Sequence, residues 1–206
     1  ETGEGVDESG VLGPASPYAM TKAMVERILA DTASAGGIRA IALRYFNPIG
    51  ADPRLRTGLQ NPRPSHALGK IMQARADGVP FTITGVDWPT RDGSGIRDYI
   101  HVWDLALAHV AAVERFDAIV PGDAPYRVIN VGAGEGVTVR ELVAAFERVT
   151  GEPLPTIEAP RRPGDQGGAF ALVEHAEELL GWRAERSVDD GVRDALAWAE
   201  KLPSIL

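Results

Sequence analysis

The chain has 206 residues, 44% of them hydrophobic and 24% charged, enough to bury one large core or two small ones. Its formal net charge of −8 argues against general nucleic-acid or anionic-membrane binding, so an anionic ligand must be held by local arginines working against the overall field. Cysteine is absent, which removes disulfides and thiolate metal sites, and no apolar run approaches the roughly 18 residues of a membrane span.

Residues 1–15, with Gly3, Gly5, Gly10, Gly13 and Pro14, read as loop. They lack the basic start and apolar stretch of a signal peptide, and the cytoplasm is the expected compartment. Ser16 is a good N-cap and Pro17 suits the first helical position, where its missing N–H costs nothing. Met20, Met24, Val25, Ile28 and Leu29 then recur at helical spacing until Gly36-Gly37 stops the run. Tyr18 and Lys22 stand at i and i+4 and share a face of this helix. An ammonium beside a phenol favours the phenolate, and an acid/base group works best when its pKa nears the working pH. Any helix can carry such a pair on its surface, so the neighbouring residues decide.

Residues 38–46 are mostly apolar without clean alternation, as in a parallel strand covered on both faces, and Asn47-Pro48 is expected to end it. Helix then buried strand is half of a βαβ crossover. Strand carboxyl ends face the ligand crevice in open α/β sheets, so Asn47 reads either as a ligand contact or as a turn-starting amide. Residues 51–65 look irregular, 66–75 helical and 81–84 extended, and 85–95 form a polar loop. Residues 99–102 look extended, with Asp104 able to cap a largely buried helix after them. Residues 127–131 read as a buried strand. Gly132-Ala133-Gly134-Glu135-Gly136 turns it into a helix with Thr138 and Glu141 as capping box. That turn lacks the third glycine of G-x-G-x-x-G and reads as a tight βα turn. A short strand at 155–159 and helices at 173–180 and 188–201 complete the chain.

Arg97 follows a glycine-rich loop, and Arg161-Arg162 adjoin Pro163-Gly164, so each is either a solvated charge or part of a defined phosphate cradle. The four histidines form no metal-ligand spacing, no metal site is expected, and His109 reads as structural.

The runs SPYAMTKAMVERIL, ALRYFNPIGADP, GSGIRDYIHVWDLALAH, VINVGAGEGVTVRELV, APRRPGD and LGWRAERSVDDGVRDA closely resemble the extended short-chain dehydrogenase/reductase family. RYFNP-G and G-x-R-D-Y-I-H-V-x-D-L-A are similar to its UDP-hexose 4-epimerase branch, and the likeness runs from about Asp7 to Ala197. It implies an α/β fold, the C-terminal part of a doubly wound NAD(P)-binding Rossmann-like fold with a smaller substrate-binding α/β domain. Residues 1–50 and about 98–150 would belong to the first part, and about 51–97 and 151–206 to the UDP-sugar domain. It also implies a mechanism. Tyr18 as phenolate takes the proton of the sugar 4-hydroxyl, hydride passes from C4 to NAD, the 4-keto sugar turns, and hydride returns to its other face. Lys22 would lower the Tyr18 pKa and hold the nicotinamide ribose, with Tyr45 and Phe46 as further cofactor contacts. Asn47 and His66 would touch the UDP-sugar, Arg97 and Arg162 the diphosphate, and Asp165 a ribose. His66 stands where many members have Asn, and Ala169 falls at the sugar-pocket wall, where its small side chain would admit an N-acetyl group. The family's G-x-x-G-x-x-G turn and catalytic Ser are not in this sequence, so the chain alone is expected to be inactive and, with an apolar face exposed, poorly stable. A homodimer is expected of the complete protein. A nucleotide-sugar dehydratase or decarboxylase, and a non-catalytic UDP-sugar-binding chain, are the alternative readings.

Overall fold

Residues 3–204 are described by a computed structural model. Helix α1 (Pro17–Ser34) starts as the sequence predicts, with Ser16 Oγ accepting from the Ala19 N–H at 3.1 Å. It packs on strand β2 (Ala40–Tyr45), which pairs in parallel with β7 (Tyr126–Val131) over six residues. The helix face with more cover carries small residues, Ala19, Ala23, Ala30 and Ala33, together with Glu26 and Leu29. The larger apolar residues Met20, Met24, Val25 and Ile28 are exposed instead. Helical spacing alone marks two apolar faces here, and the small one allows the closer approach to the sheet. β2 is accordingly half-buried rather than covered on both sides, whereas the last three residues of β7 are buried.

Two further expectations change at the edges of this layer. The N-terminal loop contains a short strand, β1 (Gly5–Val6), parallel to β10 (Phe170–Ala171). Asn47-Pro48 does not end the extended chain. After Phe46 it continues as β3 (Asn47–Ile49), parallel to β6 (Tyr99–His101), and the Asn47 N–H donates to the Asp98 carbonyl at 3.0 Å.

The remaining elements build two cores. Helix α2 (Ala67–Asp77), the parallel pair β4 (Phe81–Thr84) and β9 (Thr156–Ala159), α5 (Val139–Thr150) and α6 (Val188–Lys201) bury Leu68, Ile71, Ile83, Leu142, Phe146 and Val192. The second core gathers Ile100, Leu105, Ala108, Ile129, Val131 and Leu180 around α3 (Val102–Glu114) and β7. Short β5 (Ile96–Arg97) and β8 (Val137–Thr138) pair antiparallel, and α4 (Phe116–Ile119) follows α3. The Thr138–Glu141 capping box forms as its sequence demands. Residues 176–180 form a π-helical turn rather than an α-helix. No helix among the described residues is long and apolar enough to cross a membrane.

Asp104 is not the cap of α3. His101 is: its Nδ1 accepts from the Trp103 N–H at 3.0 Å. Asp104 lies buried one turn in, where it accepts from the Glu185 and Arg186 N–H groups and pairs with the Arg186 guanidinium at 2.5 Å. His101 is itself 1% exposed, and with Nδ1 committed as acceptor its Nε2–H faces Asp194 Oδ2 at 3.2 Å. Burial lowers its pKa, outweighing the nearby Asp194 and Asp104 charges. The folded protein thus holds this ring neutral while the unfolded chain protonates it near the ordinary value of about 6.5. His101 therefore stabilises the fold above that value, and the contribution is lost as the pH falls below it. Unfolding free energy should drop toward pH 5, with up to about 1.4 kcal/mol per pH unit from this one group. In urea titrations at several pH values, His101→Asn should remove that component; an unchanged slope would contradict the assignment.

Candidate active site

The carboxyl end of β2 runs through Phe46 into Asn47, at the mouth of a cleft of about 740 Å³. Asn47, His66, Arg97, Arg162 and Asp165 all line it, brought together from widely spaced parts of the chain. Each is placed by its local structure. His66 caps α2, its Nδ1 accepting from the Gly69 N–H at 3.2 Å, which leaves Nε2–H as its free donor. Desolvation lowers the His66 pKa and favours that neutral form. Arg162 and Asp165 close a tight turn, the Arg162 N–H reaching Asp165 Oδ2 at 2.9 Å and its Nε the same oxygen at 3.3 Å. Burial pushes the Asp165 carboxyl up, but these two bonds and the Arg162 and Arg97 charges outweigh it and hold the carboxyl below its usual range.

Arg97 does more than line the cleft. Its guanidinium donates to three backbone carbonyls, Ile96 and Gly167 through Nη1 at 2.6 and 3.1 Å, and Gln166 through Nη2 at 3.1 Å. No carboxylate neutralises it in these bonds, so it staples residues 166–167 to β5 and still presents a positive charge. The cleft therefore holds three cations, Arg97, Arg162 and Lys70, with an imidazole N–H and a primary amide, a donor set suited to a diphosphate.

Sequence reasoning passed over Asp98. It is fully buried, and its Oδ1 accepts from the Ala133 N–H at 2.7 Å while Oδ2 accepts from Gly134 and Ala171, both at 3.1 Å. One carboxylate thus ties the glycine turn to β10 and the cleft strand. A Cβ at Gly132 would collide with it, which explains that glycine. Burial raises the Asp98 pKa against the pull of the three N–H groups. An acid between the apolar strand residues of G-I-R-D-Y-I-H was the available signal.

The proposed proton-transfer pair lies at the start of α1. The Lys22 ammonium stands 5.3 Å from the Tyr18 ring centroid, and Tyr18 is 69% exposed. Neither lines the cleft, nor do Tyr45, Phe46 or Ala169. Because α1 runs antiparallel to β2, its N-terminus lies at the same end of the layer as Asn47. Glu26, two turns on, is fixed there by Arg44 of β2 through bonds of 2.9 and 2.6 Å. Ala169 sits immediately before β10, whose Ala171 Asp98 holds.

The family profile for NAD dependent epimerases and dehydratases matches residues 1–132. The chain belongs to the NAD dependent epimerase/dehydratase family. It is 40% identical to the UDP-glucose 4-epimerase of Erwinia amylovora over 201 residues, covering 96% of this chain and 58% of that protein. It is 38% identical to UDP-glucose 4-epimerase 2 of Arabidopsis thaliana over 200 residues, covering 95% of this chain and 56% of that protein. Among solved structures, a UDP-glucose-4-epimerase from Stenotrophomonas maltophila, with bound NAD and formylated UDP-arabinopyranose, superposes with a TM-score of 0.89. There the identity is 37%, over 98% of this chain and 60% of that one. The chain thus spans little more than half the length of these relatives, and its parallel α/β layers are those of the family's Rossmann-like fold.

Proposed function

We propose that these residues form the sugar-nucleotide side of a UDP-glucose 4-epimerase or a close UDP-hexose 4-epimerase, interconverting UDP-glucose and UDP-galactose. The observation that carries this reading is the cleft, where Asn47, His66, Arg97, Arg162 and Asp165 converge. Arg97 and Arg162 bind the diphosphate, Asp165 accepts from a ribose hydroxyl, and the Asn47 amide and His66 Nε2–H orient the remainder. Tyr18 Oη takes the proton of the sugar 4-hydroxyl as the 4-keto sugar forms and gives it back after the sugar has turned. Lys22 supplies the positive charge that steadies the phenolate. Ala169, with its single methyl group, leaves room for the N-acetylhexosamine pair. The core around α3 and β7 fits the Rossmann-like part and that around α2 and β4 the smaller substrate part, although α5 packs in the latter and residues 176–182 in the former, across the division expected from the sequence. A homodimer would close on the exposed Met20, Met24, Val25 and Ile28.

These residues fit NAD at one end only. Tyr18, Lys22, Tyr45 and Phe46 would hold the nicotinamide end, where Tyr18 and the 49%-exposed Tyr45 offer open aromatic surface. NAD held there would supply the hydride acceptor and donor for sugar C4. The glycine turn at 132–136 does not fit the cofactor's pyrophosphate, because the Asp98 carboxylate already accepts its N–H groups. Residues 1–206 with added NAD are therefore expected to bind UDP yet leave UDP-galactose unchanged.

Calorimetric titration with UDP tests the cleft directly. Arg162, 71% exposed, can be removed at little cost to the fold, and Arg162→Ala should weaken UDP by about 10- to 100-fold, the worth of a charged hydrogen bond. Equal affinity in both proteins would overturn the diphosphate assignment.

A further inference from the structure

Trp88 is the one tryptophan of the chain's four that lines the cleft, and nothing above gives it a task. Trp198 is buried, with its Nε1 donating to the Leu59 carbonyl; Trp182 is buried in the second core; Trp103 lies under Arg56. The Arg161 guanidinium stacks on one face of the Trp88 ring, its carbon 3.6 Å from the ring centroid. Arg161 is pinned in turn by Asp87, through Nε to Oδ1 at 2.7 Å and Nη2 to the carbonyl at 2.6 Å. Arg161 covers one face of the ring and is not itself among the residues that line the cleft.

The loop under the ring is stiff. The Trp88 N–H donates to the Gly93 carbonyl at 2.9 Å, and Gly85, at φ 70°, passes so close to Trp88 that a Cβ there would strike the indole. A flat aromatic surface, fixed before any ligand arrives, thus lies in the same cleft as the two arginines. Lys70, Gln73, Thr82 and Thr84 line the same cleft and offer hydrogen bonds to the edge of a planar ring.

We propose that the Trp88 indole, braced by Arg161, is the stacking platform for the pyrimidine base of the nucleotide. Resting on the UDP-sugar reading above, this assigns the base end of that ligand to the Trp88 wall. Stacking on an indole loses little conformational entropy when the ring is already held, and the face-on guanidinium keeps it held. Such a platform distinguishes a nucleoside diphosphate from a bare diphosphate.

The test follows tryptophan fluorescence and calorimetry during titration with UDP and with inorganic pyrophosphate. UDP should quench the wild-type emission, and pyrophosphate should not. Trp88→Ala should bind UDP about tenfold more weakly, with pyrophosphate affinity unchanged. Trp88→Phe, which keeps a flat ring and guards against a folding artefact, should recover to within about threefold of wild type. UDP affinity unaltered in Trp88→Ala would overturn the platform alone. Failure of the wild-type chain to bind UDP would overturn the UDP-sugar reading, and the platform with it.

Discussion

Tyr18→Phe is expected to lower epimerase turnover by roughly 10²–10⁴-fold, the usual worth of a positioned proton-transfer group. The substitution removes one oxygen and keeps the ring that Lys22 approaches at 5.3 Å. Tyr18 is 69% exposed and caps nothing, so the fold should not notice the change. The proposed UDP contacts lie in the cleft, which Tyr18 does not line, so UDP affinity should also persist. The measurement is turnover of UDP-galactose, made in protein that carries a dinucleotide-phosphate site alongside these residues, with UDP titration as control. A variant within about threefold of wild type would remove Tyr18 from the chemistry.

The largest effect on stability is expected at Asp98. Asp98→Ala strips the acceptor from three N–H groups, the buried one of Ala171 and the half-buried ones of Ala133 and Gly134. Each orphaned donor costs about 1–3 kcal/mol, three together about 3–9 kcal/mol, and because water can reach the two half-buried donors the loss should lie in the lower part of that range, about 3–6 kcal/mol in urea unfolding. Total stabilities of natural domains are only about 5–15 kcal/mol, and this variant should sit near its unfolding midpoint in mild denaturant. Asp98→Asn keeps one acceptor oxygen but turns an N–H₂ against the remaining donors, and should fall between the two. A loss below about 1 kcal/mol for Asp98→Ala would mean that water satisfies the turn as well as the carboxylate does.

Much of the fold was legible because local chemistry and tertiary packing agree. Ser16-Pro17, Thr138 with Glu141, and the strands at 81–84 and 126–131 each carry a signal that needs no distant partner. The readings that failed depend on what lies opposite. Met20, Met24, Val25 and Ile28 form an apolar stripe as regular as any core face, yet the alanines beside them meet the sheet. Asp104 looked like a cap because its partners, Arg186 and the 185–186 backbone, lie some 80 residues away. Partners 35 to 93 residues away likewise hid the task of Asp98 and the Asp194 contact of His101, whose neighbours in sequence say only that they are polar groups in apolar strands. The glycine and proline framing of Arg97 and Arg162 left a solvated charge and a phosphate cradle both open, and only the fold brings the two side chains to one cleft. The Arg97 staple on residues 166–167 was not readable, because carbonyl acceptors leave no mark in a sequence.

The central claim is that one cleft grips a nucleoside diphosphate between the two arginines. A crystal structure of the protein with UDP bound tests it most directly. The diphosphate is expected against Arg97 and Arg162, with the Asn47 amide within hydrogen-bonding distance of the ligand. UDP seated instead in the adjoining apolar groove between residues 57–64 and α6, with the two arginines untouched, would contradict it.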